Sequence, residues 1–577
     1  MDDQRFRPGR ADDLERLLGD PYDRDSALGF PAIVAADERA EMLAAGEQAL
    51  DAYQLNAELV PAAYGGRLTR LDHLVEIMRS VYRRDPTLGL GYGGSSLIAG
   101  VNVWTAGDEA QQRRVAELLL DNRKLACAFH ELEHGNDMAG TEFAAAPDAE
   151  RLVLKGRKEV ITNIARADAF VLLARTDSRA GSRSHSQLLV EAAHLPPDRV
   201  RYLPRFATSG MRGLPLAGVE LLDCPVPAGS VLGELGHGLE TALRSLQITR
   251  TTLVAMATGA LDTGLRTALR HARSRRLYGA PVVELPQVRS VLVNAFVDLL
   301  VCECFAAVAT RALHLLPEQA SIYAVAVKYH LAQVLLDALS RLSSVLGSQF
   351  YIRDGEHEVF QKLLRDSRAV GFAHIARPLC QVSLLPQLPL LARRSWTADR
   401  DAPAELFDLD GPLPPVPFGE LRVSAGGRDR LSPSLAAAVQ ALAAEHGPDY
   451  RQARVLAEAF LQELRTVASD AAALPLTELA VTASPHSYDL TTRYIRILAA
   501  TACLQVWRHQ QHRGDPFLQD PAWLAAALHR LGPPWAGGSA PAVAPLPEPT
   551  GARLFAELVD RHESGHGFGI ARSCYHD

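Results

Sequence analysis

The chain has 577 residues, of which 47% are hydrophobic, 22% charged and 6% aromatic. This composition excludes a disordered, collagenous or low-complexity protein, and at about 100–200 residues per domain it requires several domains. With 60 basic against 67 acidic residues the net charge is −7, so there is no domain-scale basic excess to hold a phosphate backbone, and no nucleic-acid partner is expected. Cys127, Cys224, Cys302, Cys304, Cys380, Cys503 and Cys574 are spread without CxxC spacing. They form no disulfide framework and fit a reducing, cytoplasmic setting.

In chain order, the charged N-terminus lacks a signal-peptide core, and the richest apolar stretch, 291–316, is interrupted by Asn294, Asp298, Glu303 and Arg311. Neither secretion nor membrane spanning is expected. Apolar residues at three- and four-residue spacing over 37–123 predict a helical first domain, 1–123. Within it GLGYGG (89–94) follows a helical segment and lacks a P-loop lysine, which predicts a turn and no phosphate cradle. Short alternating runs at 151–154, 169–175, 187–192 and 218–222 predict a β domain, 124–232. Long helical periods at 239–276, 286–316, 320–347 and 360–379 predict a four-helix bundle, 233–390. A proline-rich linker at 391–430 and a helical extension with a tail, 431–577, complete the chain. The extension has helical periods at 435–445, 452–469, 488–511 and 521–531. The expected fold is thus mostly α with a central β domain.

The segments at the domain joins are more specific than this architecture. LACAFHELEHGNDMAG (125–140), LKGRKEVITNIARADAFVLLART (154–176), GMRGLPLAGVELLDCPVPAGSVLGELGHG (210–238), SLQITR (245–250), RSRRLYGAPVVELPQ (273–287) and FQKLLRD (360–366) stand in one order and spacing. Together they make residues 35–385 resemble the acyl-CoA dehydrogenase family, which includes acyl-CoA oxidases. The resemblance implies FAD bound across a subunit interface, an acyl thioester on coenzyme A or an acyl carrier protein as substrate, and a homodimer or homotetramer with no membrane partner. It implies removal of the α-proton by a base and transfer of the β-hydride to flavin N5. It places Phe129, His130, Glu131, Gly135, Asn136 and Asp137 in the flavin-side loop and Thr162 near N5. Arg275 would meet the pyrophosphate from the neighbouring subunit with Gln287 beside it, and Arg250, next to Thr249, would meet the coenzyme A portion.

The base departs from the family pattern. Where most members place a glutamate, ten residues into the segment beginning Arg365-Asp366, this chain has His374, and where others place it, before Arg250, it has Thr249. A neutral imidazole is able to take an α-proton, so His374 is the candidate base; a histidine filling a disused site is the competing account. His130, Leu132, Asn136 and Val160 also replace usual flavin-side residues, and the Gly-Gly turn is reduced to SSVLG (343–347). The leading expectation is an FAD-dependent oxidoreductase that desaturates an acyl thioester in specialised biosynthesis. The alternatives are a flavin monooxygenase or oxidase of the same fold and a redox-silent acyl-carrier-binding scaffold. HESGH (562–566) formally matches a zinc motif, but Gly565 and GFG (567–569) weaken helix there. A flexible tail and no metal are expected.

Overall fold

The computed structural model describes the chain except residues 1–8, 180, 399–400, 512, 514, 533–545, 572–573 and 576–577. It forms two compact units, residues 1–249 with 416–423, and residues 250–415 with 424–577.

The first unit opens with helices α1 (Arg10–Leu18), α2 (Phe30–Glu38), α3 (Ala44–Tyr53), α4 (Leu71–Arg84), α5 (Ser95–Ala106) and α6 (Glu109–Leu120). In α4, Leu71, Leu74, Ile77, Met78 and Val81 make the buried stripe, with Asp72 in the first turn and Arg83 and Arg84 in the last, as the helix dipole favours. The glycine run is not a turn: Gly89–Gly94 is a wide π-helical stretch leading into α5. Its glycines serve close packing, since a Cβ at Gly89 would lie 2.6 Å from the Tyr82 ring and one at Gly91 2.7 Å from Met42 Cε.

Strands β1 (Leu125–Ala128), β2 (Ala144–Asp148), β3 (Arg151–Thr162), β4 (Ala169–Arg175), β5 (His185–Glu191), β6 (Val200–Leu203), β7 (Leu216–Pro227) and β8 (Val231–Leu232) follow. They form one sheet in the order β6-β7-β3-β2-β4-β5-β8, with β1 parallel to β4. Phe143, Leu154, Phe170, Leu172, Leu188 and Val219 fill its core.

Helix α7 (Gly238–Met256) carries the boundary between the units. The second unit continues with α8 (Thr258–Ser274), α9 (Pro286–Leu315), α10 (Ala320–Leu346), α11 (Val359–Ser367) and α12 (Arg377–Leu384). Segments 286–315 and 317–351 are apolar and long enough to cross a bilayer, but 83% and 67% of their most apolar windows are buried inside the protein; α9 and α10 are core helices. The extension contributes α13 (Pro448–Ala472), α14 (Pro485–Gln510), α15 (Pro521–Leu531) and α16 (Glu548–Glu563). It docks on the bundle through buried Asp429, whose carboxylate accepts from Tyr323 Oη (2.9 Å) on α10, Tyr494 Oη (2.8 Å) on α14 and Trp396 Nε1 (3.0 Å).

Two further expectations change, those for the helix 360–379 and for the tail. The predicted helix 360–379 is broken into α11 and α12 by Gly371, Pro378 and a left-handed His374 (φ 69°). In the proline-rich segment, Arg311 donates to Glu405 O (2.8 Å) and Gly411 O (3.1 Å), and His314 Nδ1 to Pro414 O (2.8 Å), so these carbonyls are held rather than loose. The tail is packed as well: the Phe568 amide donates to Asp262 (3.0 Å), the Ile570 amide to Glu303 (2.8 Å), and Arg266 lies 4.4 Å over the Phe568 ring. Helix α16 ends at Glu563, which pairs with Arg273 through a 2.5 Å contact, so His562 and His566 do not share a helical face.

Candidate functional site

In the first unit two of the candidate residues, Phe129 and Glu131, meet one buried lysine. Lys158, 0% exposed on β3, donates to Glu131 Oε1 (2.7 Å) and to Phe129 O (3.2 Å). Glu131 also accepts from the amides of Glu142 (2.9 Å) and Phe143 (3.1 Å). Burial would raise the Glu131 carboxyl, but the ammonium and the two amides outweigh it and hold the group below the usual carboxylate range. Burial pulls Lys158 down to about 8 against the opposing pull of Glu131. Glu131 therefore holds the loop after β1 together, with both oxygens engaged.

His130 Nδ1 lies 3.2 Å from Glu159 O. A carbonyl only accepts, so Nδ1 carries the proton and Nε2 keeps its lone pair; burial holds this imidazole below its usual pKa. Asp137 caps the turn Met138–Gly140 through the Gly140 amide (3.2 Å), and Asn136 is exposed on that loop. Thr162 ends β3, half-buried, between two left-handed residues, Val160 (φ 59°) and Asn163 (φ 65°). Asn163 fixes that end by donating to Gly91 O and Ser95 Oγ, both at 2.6 Å. The conformation is natural for asparagine and strained for β-branched Val160, which the bulge between Lys158 and Ile161 requires. Thr249 is fully buried, with its hydroxyl on Leu246 O (3.3 Å).

In the second unit Arg250, Lys328 and His374 form a cationic group. Arg250 is 5% exposed, and its buried Nε has no hydrogen-bond partner. Lys328, also 5% exposed, donates to Val370 O (2.6 Å) and Ala373 O (3.2 Å). These carbonyls would otherwise serve a continuing helix, so Lys328 fixes the break that displays His374. Burial, then Arg250, then Lys328 hold His374 well below the ordinary histidine pKa, and it is neutral at physiological pH. Burial pulls Lys328 itself down to about 8. The thiol of Cys380, raised by burial, faces the same cations.

Arg275 and Gln287 lie apart from this group. Arg275 is the exposed C-cap of α8, without an ion pair among the described residues, and Gln287 is exposed in the first turn of α9. Between them a hairpin presents Leu277 and Tyr278, 41% and 95% exposed. Residue pattern alone missed Lys158 and Lys328. The signal was lysine scarcity: of Lys124, Lys155, Lys158, Lys328 and Lys362, the last three are at most 5% exposed, an unusual place for an ammonium unless it is paired or working.

Comparison with known proteins agrees with this architecture. Residues 126–224 match the acyl-CoA dehydrogenase middle domain and residues 236–374 its C-terminal domain. The 3-(aryl)acrylate reductase of Clostridium sporogenes is 24% identical over 313 residues, 54% of this chain and 81% of that protein. The probable acyl-CoA dehydrogenase fadE25 of Mycobacterium tuberculosis is 26% identical over 271 residues, 46% of this chain and 67% of that one. In fold, an acyl-CoA dehydrogenase complexed with FAD from Bacillus anthracis superposes with a TM-score of 0.68 at 16% identity, covering 96% of this chain and 94% of the other. A match of that extent takes in the extension, so its helices are not peculiar to this chain. Residues 126–224 and 236–374 thus carry the middle and C-terminal domains of the acyl-CoA dehydrogenase family.

Proposed function

We propose that this protein is an FAD-dependent oxidoreductase that desaturates an acyl thioester, carried on coenzyme A or an acyl carrier protein, in specialised biosynthesis. The observation that carries the reading is the group formed by Arg250, Lys328 and His374. A neutral imidazole is displayed on left-handed backbone at the family's base position, beside a buried guanidinium whose Nε has no partner.

The residues fit the cofactor in donor chemistry. Arg275 is exposed and without an ion pair among the described residues, as a pyrophosphate contact from a second copy requires. Thr162 stands on a strand end that Asn163 fixes through two hydrogen bonds, and Asn136 and Gln287 offer exposed amides. FAD, when bound, supplies the acceptor for the β-hydride. His374 takes the α-proton on an imidazole nitrogen. The two cations that keep it ready to accept also weaken it as a base, and Arg250 offsets this by favouring negative charge on the bound acyl group. The exposed hairpin at Tyr278 gives a homo-oligomer an apolar contact beside Arg275.

The test is anaerobic mixing of the flavin-loaded protein with acyl-CoA and with acyl carrier protein thioesters, following loss of the oxidised flavin band. His374→Ala should slow that step by about 10²–10⁴-fold while leaving flavin content unchanged. Wild-type turnover in His374→Ala, or purified protein that binds no flavin, would sink the reading. The similarity to a protein named 3-(aryl)acrylate reductase favours a second reading, the reverse reaction, in which an α,β-unsaturated acyl group is reduced and protonated at the α-carbon. Reduced flavin reoxidised by an enoyl thioester rather than formed by a saturated one distinguishes it. Peroxide release in air would point to an oxidase.

A further inference from the structure

Within the second unit, bundle and extension line a half-open cavity of about 610 Å³ between α9, α10, α14 and α15. That is the size of ordinary small-ligand pockets, about 300–1,000 Å³. None of Arg250, Lys328, His374, Arg275 or Gln287 lines it. Its charge is unbalanced: among the described residues Arg341, Arg377, Arg496 and Arg530 face it against only Asp298 and Asp337. Asp298 is already satisfied, by Arg341 (2.6 Å) and by two hydrogen bonds from Arg530 (2.9 and 2.8 Å). Arg496 has no carboxylate partner among the described residues, and Arg377 lies over the Tyr329 ring at 4.6 Å with its Nε buried and unbonded.

A second observation points the same way. His330 is 8% exposed, and its buried Nε2 has no hydrogen-bond partner. Burial, with Arg496 and Arg377 behind it, pushes this imidazole down to about 3, so it is neutral. Leaving such buried polar groups unsatisfied is unfavourable, a cost that an anion accepting from them would remove. The apolar side chains of Val301, Val334 and Ile495 line the same cavity. We propose that this cavity is a second ligand site for a small organic phosphate, its dianionic group held by Arg377, Arg496 and His330 and its apolar body by Val301, Val334 and Ile495. Two guanidiniums free of carboxylates match a dianion in charge, and their planar forks match phosphate oxygens in geometry.

The experiment is calorimetric titration of the full chain with inorganic phosphate and with phenyl phosphate. The expected result is one saturable site per chain that binds phenyl phosphate more tightly than inorganic phosphate. Arg496→Ala and Arg377→Ala should each weaken it about tenfold or more, the loss of one charged hydrogen bond. Arg496→Lys, which keeps the charge and most of the packing, should weaken it less, and the exposed Lys155→Ala should leave it unchanged. Should an alanine variant fail to fold, the imidazole resonance of His330, assigned by its loss in His330→Asn, should still shift in the wild type on adding phenyl phosphate. Absence of saturable binding, or affinity kept in Arg496→Ala but lost in Arg250→Gln, overturns the proposal; the second outcome would return the anion to the candidate site.

Discussion

Replacing Lys328 by methionine isolates what this ammonium does for His374. Its two hydrogen bonds, to Val370 O at 2.6 Å and Ala373 O at 3.2 Å, are charge-assisted and are worth about 1.5–3 kcal/mol each. Against them, burial has pulled the ammonium from 10.5 to about 8, worth about 3 kcal/mol against the charged form. The two contributions largely cancel. Lys328→Met should therefore lower unfolding free energy by at most about 3 kcal/mol in denaturant titrations, a small effect for so buried a residue.

The larger effect should fall on His374. Burial, Arg250 and Lys328 depress its pKa in that order, so removing Lys328 removes one cation and the imidazole should titrate at higher pH. The assay is the pH dependence of the His374 ring-proton resonance, assigned by its loss in His374→Gln, in wild type, Lys328→Met and the control Lys155→Met. Lys155 is an exposed residue paired with Asp223. A midpoint that is unchanged or lower in Lys328→Met would refute the electrostatic account. The sign for stability follows from the same depression. The unfolded imidazole takes a proton near ~6.5 and the folded one does not, so His374 lowers stability as pH falls below that value toward its folded pKa.

Glu131→Gln should cost about 3–5 kcal/mol in denaturant unfolding, because it strands the Lys158 ammonium, 0% exposed; adding Lys158→Met should recover most of the loss, and additive losses would count against the pair. Glu303→Ala removes the acceptor of the Ile570 amide and should speed proteolytic cleavage within 564–575 at least several-fold, whereas an unchanged cleavage rate would show the tail held by other contacts. Tyr278→Glu, at the tip of the exposed hairpin, should reduce the oligomer mass measured by light scattering, and an unchanged mass would place the interface elsewhere.

The regular parts of this fold were legible because local pattern decides them. Helices α9, α10, α14 and α15 fall where the apolar periods stand, and β3, β4, β5 and β7 where the short alternating runs do. What was not legible depends on partners far away in the chain. The break before α12 depends on Lys328, more than 40 residues upstream of the carbonyls it captures. The glycine-rich tail reads as flexible by composition, yet its amides reach Asp262 and Glu303. In GLGYGG the glycines suggested a turn, whereas the space they leave is filled by Tyr82 and Met42. The candidate site divides in the same way: motif spacing singled out His374 and Arg250 as candidates, but nothing local announced that Lys158 would engage Glu131.

The electrostatics of the two halves explain why a histidine suits this chain. A carboxylate among Arg250 and Lys328 would be drawn into ion pairs, and its pKa would fall, which makes it a poorer proton acceptor. An imidazole in the same place is kept neutral by burial and by the same cations, and without a negative charge it forms no ion pair with them. In the reaction proposed above its basicity would be reduced, and the compensation would come from a buried guanidinium with an unpartnered Nε, which favours an anion formed beside it in surroundings where charge is screened less than in water. In the first unit the opposite choice was made, since Lys158 is paired with Glu131 and that carboxylate is fully engaged in holding a loop. The lysine whose charge is matched serves architecture, and the lysine whose charge is left unmatched adds, after burial and Arg250, to what keeps His374 neutral.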